Sequence, residues 1–172
     1  MRYLFLDIDG VLNHEEWYNS KRLKELAPTF VRWEQECFDP ACVKRVNEIL
    51  EETGAQLVVS SSWRSDTELP NIFKLLGLPT DFMVTPLLVD EDSNGHLSWP
   101  TRGEEIEAFI NEHPCNNYVI VDDDTDFTEE QKKKHFVRTY GDYVTAWKED
   151  KCWETGLTEA KKDKIIKTLK NE

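Results

Sequence analysis

Two aspartates two residues apart, Asp7-Ile8-Asp9, stand with Gly10 at the end of an apolar run, Tyr3-Leu4-Phe5-Leu6. Carboxylates this close repel one another unless a proton or a cation separates them. Gly10 permits a sharp turn that leaves both acids at the carboxyl edge of a sheet, where α/β domains bind ligands. Hard carboxylate oxygens suit Mg²⁺, which usually keeps waters and phosphate oxygens as further ligands. Alone, the same four residues read equally well as an ordinary Asp-Gly turn. A second acidic group, Asp122-Asp123-Asp124 with Asp126 close behind, follows the apolar run 118–121. Three acids at a hydrophobic strand end are costly without a compensating cation, the other reading being a solvated loop.

Two further groups bring the chemistry of anion binding. Ser60-Ser61-Ser62-Trp63-Arg64 follows the apolar run 57–59. Its hydroxyls and backbone N–H groups could hold a phosphate oxygen, although serine runs also serve as turns. Arg102 falls in the first turn of a helix capped by Thr101, at the positive end of the helix dipole. That position costs a cation about 0.3–1 kcal/mol unless an anion lies beside it.

The intervening sequence supplies elements that would hold these groups together. The runs 3–6, 57–59, 83–84 with 87–89, and 118–121 read as buried strands separated by helices, the pattern of a parallel α/β sheet. Asp39-Pro40 starts a helix with Val43, Val46, Ile49 and Leu50 on one face, and Gly54 ends it. Thr101 through Glu104 has capping-box spacing ahead of Ile106, Phe109 and Ile110, and Thr128 through Gln131 repeats it. Thr158 caps a last helix carrying Ile165, Ile166 and Leu169. Residues 19–36 are helical in part, with Pro28 as an interruption.

At 172 residues the chain has room for one domain, and no linker composition divides it. No apolar stretch is long enough for a bilayer, and the N-terminus enters a strand directly, without a signal-peptide pattern. The expectation is a cytoplasmic protein. Against 34 acidic residues stand 21 basic ones, giving −13. Such a surface repels phosphate backbones, so a stable nucleic-acid complex is not expected. Cys37, Cys42, Cys115 and Cys152 form no CxxC pair and read as reduced structural thiols.

Taken in order, these segments resemble the haloacid dehalogenase (HAD) superfamily of phosphohydrolases. The stretch 3–169 also looks like the small bacterial and phage members related to the HAD domains of RNA-repair proteins, which share an SSWR-like segment, a helix start like Arg102-Gly103-Glu104-Glu105-Ile106, and a late Gly156-Leu157-Thr158. The resemblance implies a three-layer Rossmann-like parallel sheet flanked by helices, in one unit over 1–172 with a minimal cap or none. It makes Asp7 the nucleophile and Asp9 the acid/base, with Ser60 or Ser61 and Arg102 on the phosphate. It implies Mg²⁺ held by Asp7, Asp9 through its backbone carbonyl, Asp122 and Asp123. Two departures stand out: the third motif more often carries Lys, and the serine run leaves Ser60 and Ser61 as alternatives.

A nearly capless site suits accessible phosphomonoesters, by resemblance a small molecule, a nucleotide or a nucleic-acid end. The one candidate for a small lid is residues 17–36, where Trp17, Tyr18, Phe30 and Trp33 would line a pocket or pack as core. His14, beside Asp9 and Asn13, could touch substrate but reads more readily as a solvated or capping loop residue, and Trp63 as packing under the site. The stretch from Asp90 to Gly95 imitates an EF-hand start, but Thr101 stands at its twelfth position. Asn94-Gly95 is better read as a hairpin turn. A receiver-type signalling domain places its phosphorylated Asp after a middle strand, which here ends in serine. The remaining alternative is a catalytically silent HAD-like scaffold or regulatory domain.

Overall fold

The computed structural model describes residues 1–29, 34–91 and 94–171. The first half runs β1 (Arg2–Leu6), three short helices α1 (Glu15–Tyr18), α2 (Lys21–Leu26) and α3 (Glu34–Cys37), then α4 (Pro40–Thr53), β2 (Gln56–Val59) and α5 (Leu69–Leu76). The second runs β3 (Met83–Val84), a hairpin of β4 (Asp90–Glu91) and β5 (Leu97–Ser98), then α6 (Arg102–Glu112) and β6 (Asn117–Asp122). It closes with α7 (Glu129–Lys134), β7 (Phe136–Arg138), α8 (Tyr143–Asp150) and α9 (Glu159–Lys170).

Among the described residues five strands form a parallel sheet in the order β3-β2-β1-β6-β7. The two-residue side-chain period of β1 splits the core in two. Leu4 and Leu6 join Val46 and Ile49 of α4, Ile72 and Phe73 of α5, and Ile165 and Leu169 of α9. Tyr3 and Phe5 face Ile106 and Phe109 of α6. The chain is therefore a three-layer α/β fold of Rossmann type. A one-residue slip of β1 would exchange these two fully buried sets, each side chain representing about 1.5–3 kcal/mol of burial.

The caps fall where the local chemistry requires them. Asp39 accepts from Ala41 N–H at 2.8 Å ahead of Pro40, and Gly54 ends α4 in the left-handed region. Thr101 with Glu104, and Thr128 with Gln131, close reciprocal capping boxes on α6 and α7. Thr158 caps α9. The chain between α2 and α3 starts with a 3₁₀ turn, Ala27–Thr29, so Pro28 does interrupt the helix. One expectation fails: residues 87–89 form no strand, and Leu87 and Val89 are exposed. β3 is an edge strand and Pro86, with no N–H to donate, follows its last pairing. The Asn94-Gly95 turn does join an antiparallel hairpin; Asp92 and Ser93 lie outside the described residues.

Candidate active site

Parallel pairing places the chemistry-bearing residues in one row. Leu6 pairs with Val59 on one side and Val121 on the other, so the next residues along are Ser60, Asp7 and Asp122. The row is sealed by backbone bonds: Ser60 N–H donates to Leu6 C=O at 3.0 Å and Asp7 N–H to Val121 C=O at 2.9 Å. Three strands far apart in sequence thus end together at the carboxyl edge.

Arg102 enters this row from the first turn of α6. Its Nη1 donates to Asp7 Oδ1 at 2.7 Å and to the Ser60 carbonyl at 2.8 Å, and lies 3.4 Å from Asp122 Oδ2. The last contact is an ion pair without hydrogen-bond geometry, so Asp122 Oδ2 is buried with no hydrogen-bond donor. The anion that offsets the helix dipole at Arg102 is Asp7.

Asp7, Asp122 and Asp123 bring carboxylate oxygens within 4.8 Å of one another. Desolvation raises the Asp7 carboxyl above its ordinary range, while Arg102 and a hydrogen bond from Ser61 act in the opposite direction. Burial, then the charge of Asp7, pushes Asp122 up to about 8. The same two causes push Asp123 up to about 6. Three acids that resist ionisation together, one with an orphaned oxygen, are the donor set a hard divalent cation would satisfy.

This clustering sets the pH dependence of the metal-free protein. A carboxyl whose folded pKa lies above its unfolded value of about 3.9 holds more protons folded than unfolded. Its contribution is complete below pH 4 and is lost as pH rises through about 6 for Asp123 and about 8 for Asp122. Without divalent ions, melting should therefore occur at lower temperature at pH 8 than at pH 5. The difference should shrink in Asp122→Asn and on adding Mg²⁺. A melting temperature that rises from pH 5 to 8 by the same amount in both proteins would contradict this account.

The Asp9 carboxylate lies outside this cluster. Its Oδ1 accepts from Asn13 Nδ2 at 2.7 Å and its Oδ2 from Trp63 Nε1 at 2.9 Å, and the residue is exposed. Trp63 does pack under the site, edge-on to Phe38, but it also fixes this carboxylate. The two candidate serines differ. Ser61 meets Asp7 and caps the Ser62–Ser65 turn, whereas the Ser60 hydroxyl is fully buried without a partner. Arg64 holds both serine carbonyls, at 2.9 and 3.1 Å, and pairs with Glu105 of α6 at 2.6 and 2.7 Å.

Gly10 is required twice over. Its φ is +72°, and a Cβ there would stand 2.2 Å from Asp123 Oδ2. Gly10→Ala should cost at least about 1 kcal/mol of stability from the backbone alone. By displacing Asp123 it should also weaken, about tenfold or more, the hold of the acidic cluster on a hard divalent cation. Calorimetric titration of Mg²⁺ into both proteins tests this, and equal affinities would show that Asp123 adjusts freely.

Two grooves flank the row. One of about 530 Å³ is lined by Asp9, Asn13, Tyr18 and Gly141. The other, about 320 Å³, is lined by Arg64, Trp99, Arg102 and Asp126. Of the lid candidates, Trp17 is buried with its Nε1 on the Glu36 carbonyl, while Tyr18 borders the first groove. Phe30 and Trp33 lie outside the described residues. His14 is not solvated: it is 5% exposed and bonded to Thr155 and Asp39. Gly156 allows this, since a Cβ there would stand 2.3 Å from the His14 ring. The parts played by Asn13, Trp63 and Arg64 were not read from spacing; the signal present was the SSWR segment.

A parallel α/β sheet with acids after β1 and β6, serines after β2 and a helix-start arginine between them defines a HAD-like domain. Residues 3–145 match the family described as the HAD domain in Swiss Army Knife RNA repair proteins, and the chain belongs to that family. No curated protein and no solved structure matches it significantly. No helix among the described residues is long and apolar enough to cross a membrane.

Proposed function

We propose that this chain is an Mg²⁺-dependent phosphomonoester hydrolase that works through a phosphoaspartate on Asp7. The observation that carries the reading is the Asp7 carboxylate, buried in the strand-end row with Arg102 on one oxygen and Asp122 and Asp123 beside it. Arg102 and the Ser61 hydroxyl favour the ionised, nucleophilic form against desolvation. An Asp7 oxygen attacks phosphorus as the bond to the leaving oxygen breaks, and Asp9 gives that oxygen its proton. Asp9, now a base, takes a proton from water as that water attacks phosphorus, which frees Asp7 and inorganic phosphate. Asn13 and Trp63 keep the Asp9 carboxylate in one orientation through both steps. Arg102 and Ser61 are placed to meet charge on the transferring oxygens. Mg²⁺, held by Asp7, Asp122, Asp123 and the Asp9 carbonyl, would reduce repulsion between an anionic nucleophile and an anionic substrate.

The substrate class follows from openness and kinship. The open grooves and the RNA-repair description of the family favour a nucleotide or a polynucleotide end. The charge of −13 favours brief engagement of an end over a lasting complex. The same reading takes 1–172 as one HAD-like unit, because Ile165 and Leu169 of α9 complete the core begun by β1. The deciding experiment is a panel of p-nitrophenyl phosphate, mononucleotides and 3′- and 5′-phosphorylated oligonucleotides, each with Mg²⁺ and with chelator. Phosphate release that needs Mg²⁺ and is fastest on nucleotide ends is expected. No Mg²⁺-dependent release from any substrate would leave a silent scaffold as the better description.

A further inference from the structure

A second cluster of metal-ligating types lies behind the site. His14, from the loop after β1, meets Asp39 and Cys42 at the start of α4. The three facing atoms are mutually close: His14 Nε2 to Asp39 Oδ2 3.1 Å, His14 Nε2 to Cys42 Sγ 3.6 Å, and Cys42 Sγ to Asp39 Oδ2 3.7 Å. A tetrahedral Zn²⁺ with its usual bond lengths sets an N–O edge of about 3.3 Å and N–S and O–S edges of about 3.5–3.6 Å. The observed triangle matches one face of that tetrahedron to within about 0.3 Å.

The surroundings prepare this face. His14 Nδ1 lies 2.8 Å from the Thr155 hydroxyl, the kind of contact that fixes a ligating imidazole through its other nitrogen. The Gly156 backbone lies against the ring and limits its rotation. The Asp39 carboxylate is held too, since its Oδ1 accepts from Ala41 N–H. The Cys42 thiol has one proton and two acceptors beside it, Asp39 Oδ2 and the Leu157 carbonyl at 3.5 Å, while His14 Nε2 faces both the thiol and the Asp39 carboxylate. A groove of about 420 Å³ lined by His14, Asp39 and Thr155 leaves solvent access for a fourth ligand.

We propose that His14 Nε2, Asp39 Oδ2 and Cys42 Sγ form a binding site for a soft divalent cation, Zn²⁺ in particular, separate from the all-oxygen aspartate cluster. Thiolate and imidazole select Zn²⁺ over Mg²⁺. One thiolate and one carboxylate neutralise the ion, with the thiol proton released to solvent on binding. Such an ion ties the loop after β1 to the start of α4, and Thr155, on the chain entering α9, is bonded to its histidine ligand. Its bearing on the aspartate site is positional, because His14 follows Asn13, which holds both Asp9 and the Gly10 N–H.

Cobalt(II) titration of the metal-stripped, reduced protein tests the site without any assay of turnover. One equivalent of Co²⁺ should develop a thiolate-to-cobalt charge-transfer band and the strong visible bands of tetrahedral coordination, and one equivalent of Zn²⁺ should remove both. Cys42→Ser should lose the charge-transfer band, whereas Asp122→Asn should keep it. Zn²⁺ should also raise the melting temperature of the wild type and not of Cys42→Ser. Absence of the band in the wild type, or its survival in Cys42→Ser, would overturn the site. The first of these outcomes stands even if the variant fails to fold.

Discussion

Asp7→Asn is expected to abolish Mg²⁺-dependent phosphate release and still give a folded protein. An amide has nearly the shape of the carboxylate but cannot form the acyl phosphate, so kcat/KM should fall by at least about 10³-fold, as for other nucleophile deletions. Structural cost should be small for an electrostatic reason. Asp7 is one of three clustered acids, two of them buried, that repel each other, and Arg102 keeps a second partner in Asp122 at 3.4 Å when the first is lost. The melting temperature should stay within about 4 °C of wild type, equivalent to about 1 kcal/mol or less. Phosphate release and circular dichroism melts read the two halves separately. Near-normal turnover in a folded Asp7→Asn protein would remove Asp7 from the nucleophile's role.

Arg102→Met should have the opposite profile, with stability suffering as well as activity. The side chain retains the bulk of Arg102, but Asp7 and Asp122 lose the guanidinium paired with them, and the Ser60 carbonyl loses a donor. Breaking a buried ion pair from one side typically costs about 3–5 kcal/mol, because a buried charge is left uncompensated. Here the charges have an escape, since Asp122, pushed up to about 8 even with Arg102 present, can take a proton. The destabilisation should thus be largest near pH 8, a fall in melting temperature of about 10 °C. It should be much smaller near pH 5, and millimolar Mg²⁺ should restore part of it at pH 8. A pH-independent loss that Mg²⁺ leaves untouched would mean that Arg102 acts through packing alone.

What could be read from the sequence divides along the range of the interactions. Thr101, Asp39, Thr128 and Thr158 announce their helices because a cap is a contact across two or three residues. The strand-end acids were legible for a related reason: a parallel sheet forces β1 and β6 to end together once both are recognised. β7 was missed because three residues ending in Arg138 carry no period, and α8 because Ala146 is its one buried residue. His14 was misread because the contact that buries it comes from Thr155, 141 residues away. Trp63 was assigned to packing, correctly, but its indole N–H on Asp9 depends on a turn geometry that no spacing specifies. The different contacts of Ser60, whose hydroxyl is buried without a partner, and Ser61, which meets Asp7, likewise depend on the path of the chain after β2.

The single row shared by Ser60, Asp7 and Asp122 has a consequence for how the protein comes into being. Asp7 leaves the ribosome before its neighbours on the row, which arrive with β2 and, more than a hundred residues after Asp7, with β6. No partial product of synthesis holds the aspartate cluster, so a growing chain has no competent centre until its longest-range pairing closes. Loop closure over that separation is entropically costly and slow. A cation that binds the finished row therefore binds only the finished fold, and at one hundred times its dissociation constant it adds about 2.7 kcal/mol to the whole molecule. Metal supply would then act as a late checkpoint on maturation, rewarding chains whose central strands have found their register.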